Sequence, residues 1–235
     1  GAARLRFDVH RVHPEAGAHV SGRAELLSAA FFLAALLVFA RGRDREGRPR
    51  AAALAAAAGL SLLAMLSKEH AVTFVGAAVA WEVLVRRPGD TSLAAFFRDR
   101  AKELARTLAV LLAPVAIYLA MRGAALGSIG LPAASVTPIE NPCVGLPFLE
   151  RLATALSAAG RYARLVVFPW HLSPDYGAAE IEPVRSFLDP WLLVGTLAAA
   201  ALAATTILAW KRHRPAALAV LLALVPFSIV SNVAF

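Results

Sequence analysis

Long apolar segments, broken by short arginine-rich stretches, are the feature of this sequence that most restricts its fold. Hydrophobic residues occupy 59% of the 235 positions and charged residues only 17%, and the mean hydropathy is +0.63. An ordinary soluble domain has about 45–50% apolar and about 25% charged residues. This balance predicts an all-α polytopic membrane protein. Because the chain begins with Gly and ends inside an apolar run, we expect a membrane-domain fragment, residues 1–235, of a longer protein.

Six apolar segments are candidate membrane spans. They are residues 24–40, 51–66, 70–85, 108–121, 191–210 and 216–235. A span needs about 20 residues, so several of these segments reach that length only by including flanking polar residues. Glu82 lies inside the third segment near Arg86, where we expect its side chain to snorkel to the interface. The sequence therefore predicts about six transmembrane helices.

Basic residues gather in three segments between these spans. Together with Glu82, residues 41–50, 86–106 and 211–214 contain fourteen of the 24 Lys and Arg residues and six of the 16 Asp and Glu residues, a balance equal to the net charge of +8 of the whole chain. This asymmetry is typical of loops that face the cytoplasm. Since topology accounts for the positive charge, we expect no nucleic-acid partner.

Parity then places residues 1–23 and 122–190 on the other side of the membrane, together with the single cysteine, Cys143. Residues 122–190 contain only one helix-length stretch, residues 151–169. If that stretch crossed the membrane once, residues 211–214 would lie on the side opposite to the other two basic segments. We therefore expect an interfacial or re-entrant helix. On a helix, Arg161 and Arg164 are about 60° apart, on a face that Arg151 shares, as in amphipathic helices at the headgroup level.

Further polar residues predicted on that side are candidates for a functional site, and each also has a simpler explanation. Arg23 and Glu25 begin the first span, where they fit a helix N-terminus. Lys68 and Glu69 lie in a tight turn, and Asp175 is in a turn where such residues usually bond their own backbone. The histidines near residues 10–19 match no metal-binding spacing, so we expect no metal site.

Several motifs of the chain, in order, resemble those of the transmembrane and tetratricopeptide-repeat O-mannosyltransferase family and its bacterial relatives. They read GRAELLSAAFFLAALL, LLAMLSKE, ENP, RYARLVVFPWHLSPDY, SFLDP and LVPFSIVSN. The family belongs to the GT-C superfamily of membrane glycosyltransferases, so the resemblance implies a GT-C-type helix bundle. It covers nearly the whole chain, and its most specific element is RYARLVVFPWHLSPDY. One departure is HRVHPEAG at residues 10–17, where the family reads close to HPVHTEAV.

The resemblance implies a membrane enzyme that transfers a sugar, mannose, from a polyprenyl-phosphate donor to Ser or Thr hydroxyls of an acceptor protein. It implies no cofactor besides the donor and leaves a divalent metal open. Arg161 and Arg164 would bind the donor phosphate, because guanidinium groups bind phosphate oxygens bidentately. The substrate cavity would be lined by His13, Arg23, Glu25, Lys68 and Tyr176.

The catalytic acid of this superfamily is expected upstream of Gly1, and the repeats downstream of Phe235. Within the chain the weaker candidates for such an acid are Glu15, Glu69 and Asp175. We therefore expect the fragment alone to be inactive. The membrane is either a bacterial plasma membrane or that of the endoplasmic reticulum, and membrane lipid is an expected partner in both.

Two other classes of protein stay open at this point. A transporter or flippase would show inverted repeats or helices broken at matching positions of two halves, and this sequence has no such symmetry. A non-catalytic membrane anchor of a repeat scaffold would have the same spans and loops as an enzyme. Only the loop expected upstream of Gly1 distinguishes such an anchor from an enzyme.

Overall fold

The computed structural model describes residues 20–127, 143–168 and 182–230, and within these ranges the chain is helical and contains no β-strand. The predicted all-α polytopic membrane class is thereby confirmed. The α-helices are α1 (Val20–Arg43), α2 (Gly47–Ser67), α3 (Phe74–Trp81), α4 (Leu93–Asp99), α5 (Ala101–Leu126), α6 (Phe148–Val167), α7 (Pro190–Arg212) and α8 (Arg214–Val230).

Four of these helices are long and apolar enough to cross a membrane. They are Gly22–Arg43, Gly47–Ser67, Ala101–Leu126 and Pro190–Arg212, which contain the predicted spans 24–40, 51–66, 108–121 and 191–210. Helix α8 contributes a shorter apolar stretch, Arg214–Val225, and residues 231–235 of the predicted last span lie outside the described residues. The predicted number of six spans is therefore not confirmed.

The predicted third span, residues 70–85, is helical but irregular. A 3-10 helix (Glu69–Thr73) precedes α3, and a π-helix (Glu82–Arg86) follows it. The segment begins with His70 beside Glu25 and ends with Glu82 beside Arg43. It therefore extends along α1 from one end to the other, although only its middle part is regular α-helix. A π-helical turn of this kind frequently marks a special site within a helix.

The chain divides into two compact units. The hairpin unit comprises the described parts of Ala16–Ile129 and Leu208–Pro226, and the α6–α7 unit comprises those of Gly130–Ile207 and Phe227–Phe235.

Antiparallel helices α1 and α2 form the core of the hairpin unit, against which the 70–85 segment and α5 pack. Small residues let the two helices approach closely: Ala35 and Ala57 are fully buried, and a Cβ on Gly42 would overlap that of Ala53. Such small interfacial residues are typical of helix packing in membranes, where dispersion contacts replace the hydrophobic effect.

Candidate functional site

Helix α6 is the strongly amphipathic helix that the sequence predicted at residues 151–169. It begins at Phe148, three residues earlier than predicted, and ends at Val167. Among the described helices, its polar and apolar faces are the most clearly separated. It ends because Phe168 precedes a proline, which disfavours the α conformation of the residue before it.

Two glycines bring α6 and α7 into direct backbone contact. A Cβ on Gly160 would overlap the carbonyl oxygen of Trp191, and a Cβ on Gly195 would overlap that of Leu156. Any side chain at either position would push the helices apart, so these glycines determine how closely Trp191 approaches the polar face of α6.

The start of α7 is tied to α6 by a partly buried polar contact. Asp189 caps α7, since its Oδ1 accepts a hydrogen bond from the backbone N–H of Leu192 at 2.7 Å. The same oxygen accepts a second bond from the Ser157 hydroxyl at 3.1 Å. The SFLDP motif thus has a structural role: its aspartate begins α7 and positions it against α6.

Arg161 and Arg164 lie on one face of α6, as the helical spacing predicted, and both stack on Trp191. Their guanidinium carbons are 5.7 Å and 5.5 Å from the centroid of the Trp191 ring, within the range of a cation–π interaction, about 6 Å. The Nε atom of each is buried without a hydrogen-bond partner, and neither forms an ion pair within the described residues. The geometry therefore holds two adjacent guanidinium groups on an aromatic support, with no carboxylate partner among the described residues.

Arg151 is the third arginine of this helix and has different surroundings. It stacks on Phe148 of its own helix, with 5.8 Å between the guanidinium carbon and the ring centroid. Burial raises the pKa of the nearby Cys143 thiol, an effect that the charge of Arg151 opposes.

Glu25 and Lys68, two predicted cavity residues, meet at one end of the α1–α2 hairpin. Lys68 Nζ lies 3.1 Å from Glu25 Oε1, and His70 Nδ1 lies 3.7 Å from Glu25 Oε2. We call these three residues the Glu25 cluster. Sequence reasoning did not select His70, although its place directly after Lys68 and Glu69 was a usable signal. Glu69 itself is exposed, as is Arg23.

Four of the predicted site residues lie outside the described part of the chain: His13, Glu15, Asp175 and Tyr176. Arg161 and Arg164 belong to the α6–α7 unit and the Glu25 cluster to the hairpin unit, so each is a separate group of candidates. Among the described residues, no three His, Cys, Asp or Glu side chains are grouped in a way that could hold a metal ion.

The opposite end of the hairpin contains a buried ionic network that the sequence did not predict. Arg43, only 4% exposed, forms an ion pair with Glu82, which is 2% exposed. Its Nη2 also donates to Glu103 Oε1 at 2.7 Å, and its Nη1 to the Thr107 hydroxyl at 3.2 Å. Arg50 completes this Arg43 network by donating to Glu103 Oε1 at 2.5 Å.

The expectation that Glu82 snorkels beside Arg86 is therefore wrong. Arg86 is present at 3.7 Å, one helical turn away, but the carboxylate is buried against Arg43 of α1. A carboxylate within an apolar helix needs a buried partner when the interface is out of reach, and α1 supplies one.

The three basic segments meet at this end of the hairpin unit. Arg43 from residues 41–50 contacts Glu103 from residues 86–106, and Arg214 from residues 211–214 donates to the Arg87 carbonyl at 2.5 Å. The contacts agree with the prediction that all three segments face the same side of the membrane.

The architecture and charges described so far define an integral membrane protein of the all-α polytopic class. The chain is similar to Protein O-mannosyl-transferase TMTC3 from Homo sapiens, with 30% identity over 198 residues, 80% of this chain and 21% of that protein. It is 46% identical to Tmtc3 from Drosophila melanogaster over 87 residues, 35% of this chain and 9% of that protein. It is 28% identical to TMTC4 from Mus musculus over 217 residues, 83% of this chain and 28% of that protein.

The curated homologues of the chain are thus protein O-mannosyltransferases of the TMTC family, which confirms the resemblance that its motifs carry. The chain spans less than a third of the length of these relatives. No family model matches it, and no solved structure matches it.

Proposed function

We propose that the chain is part of a membrane glycosyltransferase that moves mannose from a polyprenyl-phosphate donor to Ser or Thr hydroxyls of acceptor proteins. The homologues support this proposal, since they are named protein O-mannosyltransferases. An enzyme of this kind needs a lipid membrane, a phosphate-linked sugar donor and a protein acceptor. The membrane that houses it is the bacterial plasma membrane or that of the endoplasmic reticulum.

The single observation that supports a site within this chain is the pair of arginines on Trp191, which have no ion-pair partner in the part of the chain that the structure describes. A polyprenyl phosphate carries its charge at the membrane surface, where an amphipathic helix such as α6 presents Arg161 and Arg164. Guanidinium groups stay charged and bind phosphate oxygens bidentately. Neutralising the departing polyprenyl phosphate would stabilise the charge that develops as the glycosidic bond breaks. We therefore assign donor-phosphate binding to these two residues.

Conservative substitution in the full-length protein tests this assignment. Arg161→Lys and Arg164→Lys should both lower the transfer rate, because an ammonium cannot reproduce the planar bidentate fork. Arg→Ala at either position should cost about 2–5 kcal/mol, a loss in transfer efficiency of roughly 30-fold to several thousandfold.

Arg151→Lys is the matched control, since it lies on the same helix and keeps the charge but stacks on Phe148 rather than Trp191. It should leave the transfer rate near that of the wild type at equal expression. If instead all three Lys variants behave like the wild type, the arginines only anchor α6 among lipid headgroups, at about 1 kcal/mol each.

A further inference from the structure

A wide groove opens in the hairpin unit where α2 and α5 begin, close to the Arg43 network. Its volume is about 790 Å³. Five basic and two acidic side chains line it, giving a net charge of +3: Arg50, Arg98, Arg100, Lys102, Arg106, Asp99 and Glu103. We call this feature the basic groove.

Both carboxylates of the groove are already engaged. Asp99 Oδ1 lies 3.2 Å from Arg98 Nε, and Glu103 Oε1 accepts hydrogen bonds from Arg43 and Arg50. Among the described residues, the remaining basic side chains of the groove, Arg100, Lys102 and Arg106, form no ion pair. Their positive charge is therefore available to an anion that enters the groove.

Two further features of the backbone and the rings strengthen this site. Helices α2 and α5 both begin at the groove, and neither has a side-chain cap, so their positive dipole ends add to the field. Arg100 is held over the ring of Phe96, with its guanidinium carbon 5.4 Å from the ring centroid. This contact restricts the guanidinium group before any ligand arrives.

Farther along α2 and α5, beyond Arg50 and Arg106, the lining of the groove becomes apolar and belongs to the membrane spans. Ala51 and Leu54 of α2 and Val110 of α5 form this part, and both helices are long and apolar enough to cross a membrane. A ligand that matches both the basic and the apolar part of this lining has an anionic head and a hydrocarbon tail. The described residues that line the groove include no aromatic ring on which a nucleic-acid base could stack.

We propose that the basic groove binds the headgroup of an anionic phospholipid, with the phosphate against Arg100, Lys102 and Arg106 and an acyl chain along Leu54 and Val110. The lipid comes from the leaflet that faces the basic segments, which the charge asymmetry predicts to be the cytoplasmic one. Basic pockets between membrane helices on that side are suited to such headgroups. The site is separate from the donor-phosphate site proposed above.

Lipid retention by the purified 235-residue chain tests the proposal without any assay of transfer. The chain is placed in nanodiscs of phosphatidylcholine alone or mixed with phosphatidylglycerol, extracted, and analysed by mass spectrometry of the intact protein. We expect phosphatidylglycerol, and not phosphatidylcholine, to stay bound. The double variant Lys102→Gln/Arg106→Gln should weaken this retention roughly five- to thirtyfold.

The matched control is Arg41→Gln/Arg45→Gln, which removes the same charge from exposed positions of a neighbouring basic segment outside the groove. It should change retention less than about twofold, since only diffuse surface attraction is lost. Equal losses in the two double variants would overturn the proposal, provided that circular dichroism shows equal helix content. Inorganic phosphate and a short-chain phosphatidylglycerol are then compared as competitors at the same concentration. If inorganic phosphate displaces the bound lipid as well as the short-chain lipid does, the groove binds a soluble anion and the lipid assignment is wrong.

Discussion

Two groups of arginines in this molecule have similar chemistry and opposite surroundings. In the Arg43 network, the guanidinium group is buried and contacts Glu82, Glu103 and the Thr107 hydroxyl. On α6, Arg161 and Arg164 have an aromatic ring beneath them and no carboxylate partner within the described residues. The protein itself saturates the first group, whereas the second is the one that we propose to bind an anion.

The comparison separates a structural role from a binding role on physical grounds. A buried arginine that contacts two carboxylates has little positive field left for a ligand, and its removal leaves a buried negative charge. An arginine stacked on tryptophan retains its charge and its donors, and stacking fixes its plane. Loss of the first kind should therefore affect stability, and loss of the second kind should affect ligand binding.

The largest effect on stability is expected for Arg43→Met. Among the described residues, the substitution would leave Glu82, which is 2% exposed, with Arg86 at 3.7 Å as its remaining ion-pair partner. Breaking a buried ion pair by removing one partner costs about 3–5 kcal/mol. Chemical unfolding of the purified chain in detergent micelles, followed by circular dichroism, would measure this loss.

Two controls accompany this experiment. Arg41→Met changes an exposed arginine in the same last turn of α1 and should alter the unfolding free energy by no more than about 0.5 kcal/mol. Arg43→Met/Glu82→Met should recover much of the loss, because no unpaired buried charge remains. Equal stability of the two single variants would show that the Arg43 network contributes nothing specific.

The next largest effect is expected at the contact that places Trp191 against α6. Gly195→Ala would overlap the Leu156 carbonyl and bring a methyl group to 3.0 Å from the Gly160 nitrogen. Such overpacking costs about 1–3 kcal/mol. It would also move Trp191 away from the two arginines, so donor binding by the full-length protein should weaken as well.

Gly59→Ala is the matched control, since Gly59 also lies within a helix and a Cβ there would meet nothing within 4 Å. Its unfolding free energy should stay equal or rise by up to about 1 kcal/mol, the gain in helix propensity. An equal response of the two alanine variants would contradict the close α6–α7 contact.

A smaller effect, on binding alone, is expected for Trp191→Leu. Losing the ring removes two cation–π contacts but no hydrogen bond to a phosphate. A cation–π contact contributes at least about 0.5–1 kcal/mol, so losing both should make the donor bind about five- to thirtyfold more weakly to the full-length protein. Trp191→Phe retains a ring and should lie between the leucine variant and the wild type. Unchanged affinity in the leucine variant would show that the ring does not position the arginines.

The sequence predicted what depends on contiguous residues. Each long span is a local apolar run, and the shared face of Arg161 and Arg164 follows from the helical repeat alone. Trp191, which supports them, lies on another helix, and nothing in its local sequence indicates the contact. Glu82 shows the same limit: Arg86 is its neighbour in sequence, while its buried partner Arg43 comes from α1. Pairs made by tertiary packing require the structure.

The smallest effect is expected at the Glu25 cluster, which has the ionic character of the Arg43 network without its burial. The side chains of Lys68 and Glu25 are 29% and 47% exposed, so water screens their attraction. A double-mutant cycle with Lys68→Ala and Glu25→Ala should give a coupling free energy of about 0.2–1 kcal/mol in unfolding experiments. A coupling above that range would mean that the pair is buried in the folded protein and equivalent to the Arg43 network.

The same substitution tests whether Lys68 lines the substrate cavity. If it does, Lys68→Ala in the full-length protein should reduce the transfer rate by a larger factor than the small loss of stability explains. Transfer equal to that of the wild type would leave Lys68 as a residue that only closes the turn between α2 and the 3-10 helix.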